Sequence, residues 1–167
     1  MFDVYFILLK EARGKEDPQH QLQPALYDTA WPLHCAHIRA GHYRVLNGPE
    51  PNKIFPSPTW DAITSALEKE LVYIQDHLNY PAYCILNLCR ILYSYTTQDP
   101  AISKQACGTW ASQQYPDWEM IIQAALRFYR RLNGPADEIL MRARVEAFLA
   151  FSREQLEEIR AQSTYKT

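Results

Sequence analysis

The segment Tyr83-Cys84-Ile85-Leu86-Asn87-Leu88-Cys89-Arg90-Ile91-Leu92-Tyr93-Ser94-Tyr95 has the length of a helix and is apolar on nearly every side. A helix without a polar face cannot rest on a surface, so other elements must surround it. It is therefore read as the central helix of the fold. Arg90 stands in its middle, where an unpaired charge is costly, and needs an anionic partner: a carboxylate or a bound ligand. Fourteen residues later Lys104 follows Ser103, a residue type suited to capping a helix. A helix start offers free N–H donors and partial positive charge, which suits phosphate. Together these features point to a nucleotide-phosphate site on a helical protein.

The remainder of the chain is read as helices that could enclose that segment. Asp28 caps a helix expected to reach about His42, followed by a brief extended stretch at Arg44 to Leu46. Pro49, Pro51, Pro56 and Pro58 mark a loop that ends at Thr59, the cap of a helix carrying Ile63, Leu67, Leu71 and Ile74 at helical spacing. Pro81 opens the central helix, which runs to about Thr97. Ser103 to Gln114 forms a short helix stopped by Tyr115-Pro116. Asp117 starts another, with Ile121, Ile122, Ala125, Tyr129 and Leu132 on its inner face and Asn133-Gly134-Pro135 as its stop. The last begins near Asp137 and repeats apolar residues at Leu140, Val145, Phe148, Leu149, Leu156 and Ile159. Short connections imply an all-α antiparallel bundle of about five to six helices.

The start of the chain differs. Phe2 to Leu9 is β-branched and aromatic and reads as one short strand, followed by a polar loop from Lys10 to Gln23. A lone strand has no ladder partner, so this opening reads as the remnant of a sheet. The expected organisation is residues 1–24 as remnant strand and loop, and 25–167 as the helical domain.

An apolar fraction of 47% is ample for a core, and a net charge of −2 gives no global attraction to nucleic acid or an anionic membrane. The nearest basic cluster, Arg127, Arg130 and Arg131, reads as a solvated helix end that offsets the dipole. The four cysteines show no C-x-x-C pair, which fits a reduced, cytoplasmic protein. No run of about 18 apolar residues exists to span a bilayer. His34, Cys35, His37 and His42 crowd one region without a matching ligand elsewhere, so no metal site is expected. A Gly-rich phosphate loop, G-x-S-x-G and H-E-x-x-H are all missing from the sequence.

Tyr83, Asn87, Arg90 and Ser94 are spaced to form one polar stripe on the central helix. Such a stripe lines either an internal hydrogen-bond network or a ligand cleft. Lys104, in a first turn, opposes the helix dipole and asks for a reason. Asp76, near the end of the preceding helix, could face the same cleft and meet a cationic ligand, or be a surface acid. Tyr129 on an inner face reads as core.

Three blocks add a resemblance: Tyr80-Pro81-Ala82-Tyr83 through Arg90-Ile91-Leu92, Ser103-Lys104-Gln105-Ala106-Cys107-Gly108-Thr109-Trp110-Ala111, and Ala124-Ala125-Leu126-Arg127-Phe128-Tyr129. In order and separation they resemble the C-terminal helical domain of the aminoglycoside adenylyltransferases that modify streptomycin and spectinomycin. The loop from Leu46-Asn47-Gly48-Pro49 to Phe55-Pro56 is similar too, and the likeness covers about Asp28 to Phe151. In that family ATP with magnesium donates AMP to an antibiotic hydroxyl, in a cleft between this domain and an N-terminal nucleotidyltransferase domain. The resemblance implies that Arg90 and Lys104 hold the ATP phosphates and that Tyr129 contacts adenine. It also implies that Asp76 binds the aminoglycoside, with Tyr83 as a nearby polar contact. It places Asp3 where the family carries its general-base carboxylate.

The likeness has departures. Leu71 falls where the family has an aromatic antibiotic contact, and Tyr80 where it has a second carboxylate. The family's Gly-Ser phosphate motif and its magnesium-binding aspartate pair are not in the sequence. The chain is therefore expected to be inactive by itself, with a nucleotidyltransferase domain supplied in trans or with self-association. The alternative is a non-catalytic binding or assembly module that kept the fold without the reaction.

Overall fold

A computed structural model describes residues 6–23 and 25–164. The chain is all-α: α1 (Leu9–Ala12), α2 (Trp31–Arg39), α3 (Trp60–Asp76), α4 (Pro81–Thr97), α5 (Lys104–Gln114), α6 (Glu119–Tyr129) and α7 (Pro135–Thr164). Short 3-10 turns lie at Pro51–Lys53 and Pro116–Trp118. Two compact units divide between Glu70 and Leu71, within α3.

The strand expected over residues 2–9 is not formed where it can be followed. Phe6 to Leu8 belongs to no ladder, and Leu9 opens α1. The Phe6 carbonyl is satisfied from the following loop, where the Gln21 N–H donates to it at 2.8 Å. Phe2 to Tyr5, and with them Asp3, lie outside the described residues.

In the first unit the N-cap of α2 is Ala30, which makes no side-chain cap bond, and Asp28 instead forms a turn just before the helix. The Asp28 Oδ1 accepts the Ala30 N–H at 3.1 Å and its carbonyl accepts the Trp31 N–H at 3.0 Å. The helix then stops at Arg39 rather than about His42, because Gly41 takes a left-handed conformation at φ 90°. The Gly41 N–H returns to the Ile38 carbonyl and the His42 N–H to that of His37, both at 3.0 Å, closing the helix in a Schellman turn. Arg44 to Leu46 is loop. Ala12, Trp31 and Cys35 form a small core joined by Ile7, Ile54 and Phe55. Burial pushes the Cys35 thiol up to about 12, with Asp28 adding to the shift. Thr59 caps α3, its Oγ1 accepting the Ala62 N–H at 3.3 Å.

In the second unit α4 is central and packs against α5, α6 and α7. Pro81 sits at its first turn, where the missing N–H costs nothing. Ile85, Leu86, Leu88, Cys89, Ile91 and Leu92 are all buried. Each of the Ile and Leu side chains among them contributes roughly 1.5–3 kcal/mol by leaving water. Gly108 sets the approach of α5: a Cβ there would lie 2.8 Å from Leu126 Cδ2 and 3.2 Å from Leu86 Cδ2. α7 buries Met141, Val145, Phe148, Leu149, Ser152 and Leu156 along one stripe. Tyr93, Trp110, Tyr115, Phe151 and Trp118 form a run of edge-on and tilted ring contacts at 5.1–5.9 Å beside that stripe.

The end of α6 also departs from expectation. α6 ends at Tyr129, before Asn133-Gly134-Pro135, because Arg131 adopts φ 60°. The Arg131 N–H donates to the Phe128 carbonyl and the Leu132 N–H to that of Arg127, both at 2.9 Å. The buried stripe of α6 therefore stops at Leu126, and Tyr129 (55% exposed) and Leu132 (70% exposed) leave the inner face assigned to them. Arg127 pairs with Asp137, its Nε donating to Oδ2 at 3.1 Å, while the same Oδ2 accepts the Gly134 N–H at 3.1 Å. This ties the α6 end to the α7 start.

Candidate functional site

A cavity of about 490 Å³ opens in the second unit, between the start of α4, the start of α5 and the end of α6. α4 contributes Ala82, Tyr83 and Leu86, α5 contributes Lys104, and the close of α6 contributes Phe128, Tyr129, Arg131 and Asn133. Lys104 reaches this position because Ser103 caps α5, its Oγ accepting the Ala106 N–H at 3.1 Å. The cap fixes the first helical residue, and the lysine stem then lies along the wall. Lys104 Nζ sits 4.5 Å from the centroid of the Tyr83 ring, a cation–π contact.

Arg90 belongs to the same region without lining the cavity. It is half-buried, and its Nε and an Nη donate to the Ile102 carbonyl at 3.4 and 3.3 Å. The guanidinium thus braces the loop that delivers Ser103 and Lys104. Cys107 shows how close the two cations are. Burial pushes its thiol up to about 11, against the pull of Arg90 and Lys104, which both favour the thiolate. Arg90 and Lys104 therefore act electrostatically on one buried atom, one turn into α5.

The polar stripe of α4 is divided rather than continuous. Tyr83 reaches the cavity, while Asn87 and Ser94 are buried. Asn87 Nδ2 and Ser94 Oγ have no hydrogen-bond partner among the described residues, so the stripe is not a fully connected internal network.

Asp76 is exposed at the last position of α3 and does not line the cavity. Its neighbours connect to it: the His77 ring stacks on Tyr73 at 3.7 Å, and Tyr73 meets Tyr83 edge-on at 6.0 Å. A ladder of rings thus runs from beside Asp76 to the ring under Lys104. Leu71 is core at this end of α3, and Tyr73, not singled out from the sequence, is the exposed aromatic. A smaller hollow of about 260 Å³, with Tyr80, Glu138 and Arg142 in its wall, shares Ala82, Tyr83 and Phe128 with the main cavity.

Lys104, Tyr129 and Tyr83 thus come together, Arg90 stands behind Lys104, and Asp76 lies beyond the ring ladder. Sequence reasoning missed Phe128, Arg131 and Asn133. The Arg127-Arg130-Arg131 cluster held the relevant cation, but nothing in its spacing separates Arg131 from its neighbours. Among the described residues no three His, Cys, Asp or Glu side chains converge as a metal site requires. No helix among them is long and apolar enough to cross a membrane.

What the arrangement offers is two cations beside an aromatic-walled cavity, chemistry suited to a ligand with a flat ring and an anionic tail. No curated protein matches the chain. The family model for the C-terminal domain of aminoglycoside adenylyltransferases matches residues 53–155, more than half of it, and takes in α3 to α6 and most of α7. The chain therefore belongs to the aminoglycoside adenylyltransferase C-terminal domain family.

Proposed function

We propose that this chain is the nucleotide- and substrate-binding helical part of an aminoglycoside O-adenylyltransferase-like protein. The reaction served is transfer of AMP from ATP to a hydroxyl of a streptomycin- or spectinomycin-like substrate. The observation that carries this reading is Lys104 and Tyr129 lining one cavity, in a chain of this family. Lys104 meets the phosphates, with Arg90 adding positive potential from behind. Tyr129, exposed at the rim, offers its face to the adenine. Asp76 and Tyr83 serve the antibiotic: the carboxylate takes an ammonium group and the phenol a hydroxyl.

Asp3 would accept the hydroxyl proton as general base. The metal-dependent chemistry belongs to a nucleotidyltransferase domain, so the chain by itself binds without turning over. The protein acts in the cytoplasm, where ATP is abundant.

Isothermal titration of ATP into the full chain tests this. Binding is expected, and Lys104→Ala should weaken it about tenfold, the effect of one charge-assisted contact. ATP binding that Lys104→Ala leaves unchanged would sink the assignment. If ATP does not bind and the chain dimerises with concentration, it is a non-catalytic assembly module.

A further inference from the structure

Among the described residues the same helix closure occurs at the ends of α2 and α6, with different residues at its left-handed position. At the end of α2 the residue is Gly41, φ 90°, bonded back to Ile38 while His42 bonds back to His37. At the end of α6 it is Arg131, φ 60°, bonded back to Phe128 while Leu132 bonds back to Arg127. Glycine takes this conformation freely, whereas an arginine pays for the contact between its Cβ and the backbone. A strained backbone position filled by a bulky cation asks what the side chain does there.

One answer is local: a cation near a helix C-terminus is favoured by the dipole. That answer applies equally to Arg127 and Arg130, which sit at the same helix end with ordinary backbone geometry. Arg127 is engaged with Asp137, and Arg130 does not line the cavity. Arg131 alone of the three does, sharing it with Lys104, Tyr129 and Tyr83. The left-handed turn at the end of α6 is what places Arg131 in the wall.

We infer that Arg131 is a ligand-binding residue of this cleft, a second cation that grips the anionic tail held by Lys104. This rests on the nucleotide reading given above. Lys104 supplies a point charge from the start of α5. Arg131 supplies a planar fork from the end of α6, able to take two oxygens of one phosphate. The pair would favour polyphosphate over a singly charged ligand of the same ring.

The test pairs binding with stability, because the two explanations disagree on both. ATP is titrated into the full-length chain as wild type, Arg131→Gly, Arg131→Lys and Arg130→Gln, and each protein is melted without ligand. Arg131→Gly should bind ATP about tenfold more weakly yet melt at or above the wild-type temperature, because glycine relieves the left-handed turn. Arg131→Lys should recover part of the affinity, and Arg130→Gln, with the same loss of charge, should bind as wild type does. If wild type binds ATP and Arg131→Gly binds equally well, or Arg130→Gln is weakened as much, the inference falls and the nucleotide reading stands. If wild type does not bind ATP, both fall together.

Discussion

Two charges near the cleft stand against the helix field. Lys104 occupies the first residue of α5 and Asp76 the last of α3, each at the end whose partial charge matches its own sign. Either placement costs roughly 0.3–1 kcal/mol, and neither is needed to cap its helix. This signal was legible in the sequence, because it requires only a residue type and a helix boundary. The environment of Arg90 was less legible. The apolar run promised deep burial; the side chain is half-buried and donates to the Ile102 carbonyl. The run of letters shows the helix, but not how far a long side chain extends beyond it. Ser94 gives a sharper case. Its Oγ is buried without a partner among the described residues, so the hydroxyl carries a desolvation penalty and returns no bond. Ser94→Ala should raise the unfolding free energy by about 1 kcal/mol, seen as a higher urea midpoint with unchanged slope; a lower midpoint would show that the hydroxyl is bonded.

At the level of elements, boundaries marked by the chemistry of one residue were read accurately. Pro81, Ser103 and Thr59 announce their helices by chemistry confined to one residue, and α4 and α5 begin where those residues place them. The end of α6 was misplaced because its left-handed residue is an arginine, and nothing in an arginine announces that conformation. The misreading put Tyr129 and Leu132 in the core. The close of α6 is held by a second device, the Arg127–Asp137 pair. The hydrogen bond from Arg127, with help from the Gly134 N–H, holds the Asp137 carboxyl below its ordinary range. A carboxyl lowered in the folded state stabilises the fold above its unfolded pKa, and the contribution disappears as pH falls through the folded value. Asp137→Asn should therefore be less stable than wild type at neutral pH, with the gap closing below roughly pH 4. Urea midpoints of both proteins at pH 7 and pH 3 check this; a gap as large at pH 3 as at pH 7 would mean the charge is not its source.

Across the whole molecule, the feature that organised the sequence also organises the second unit. A helix apolar on nearly every side had to be enclosed, and α4 packs against α5, α6 and α7. The division within α3 was not legible, because the spacing of Ile63, Leu67, Leu71 and Ile74 continues through it without a break. Periodicity reports that a face is buried and says nothing of which body buries it. The cleft was partly legible for a related reason: its residues come from three helix ends, and only those at predictable ends could be placed. This geometry sets what a ligand does to the fold. A molecule held by Tyr83, Lys104, Tyr129 and Arg131 bridges the start of α4, the start of α5 and the end of α6, so local opening of any of these ends must release it. On the proposed reading, ATP at a hundred times its Kd would stabilise the bound state by about 2.7 kcal/mol. Hydrogen exchange should then slow at the first turns of α4 and α5 and the last turn of α6, where end-fraying otherwise sets the rate. Protection at α5 alone would mean that Lys104 holds the nucleotide without the opposite wall.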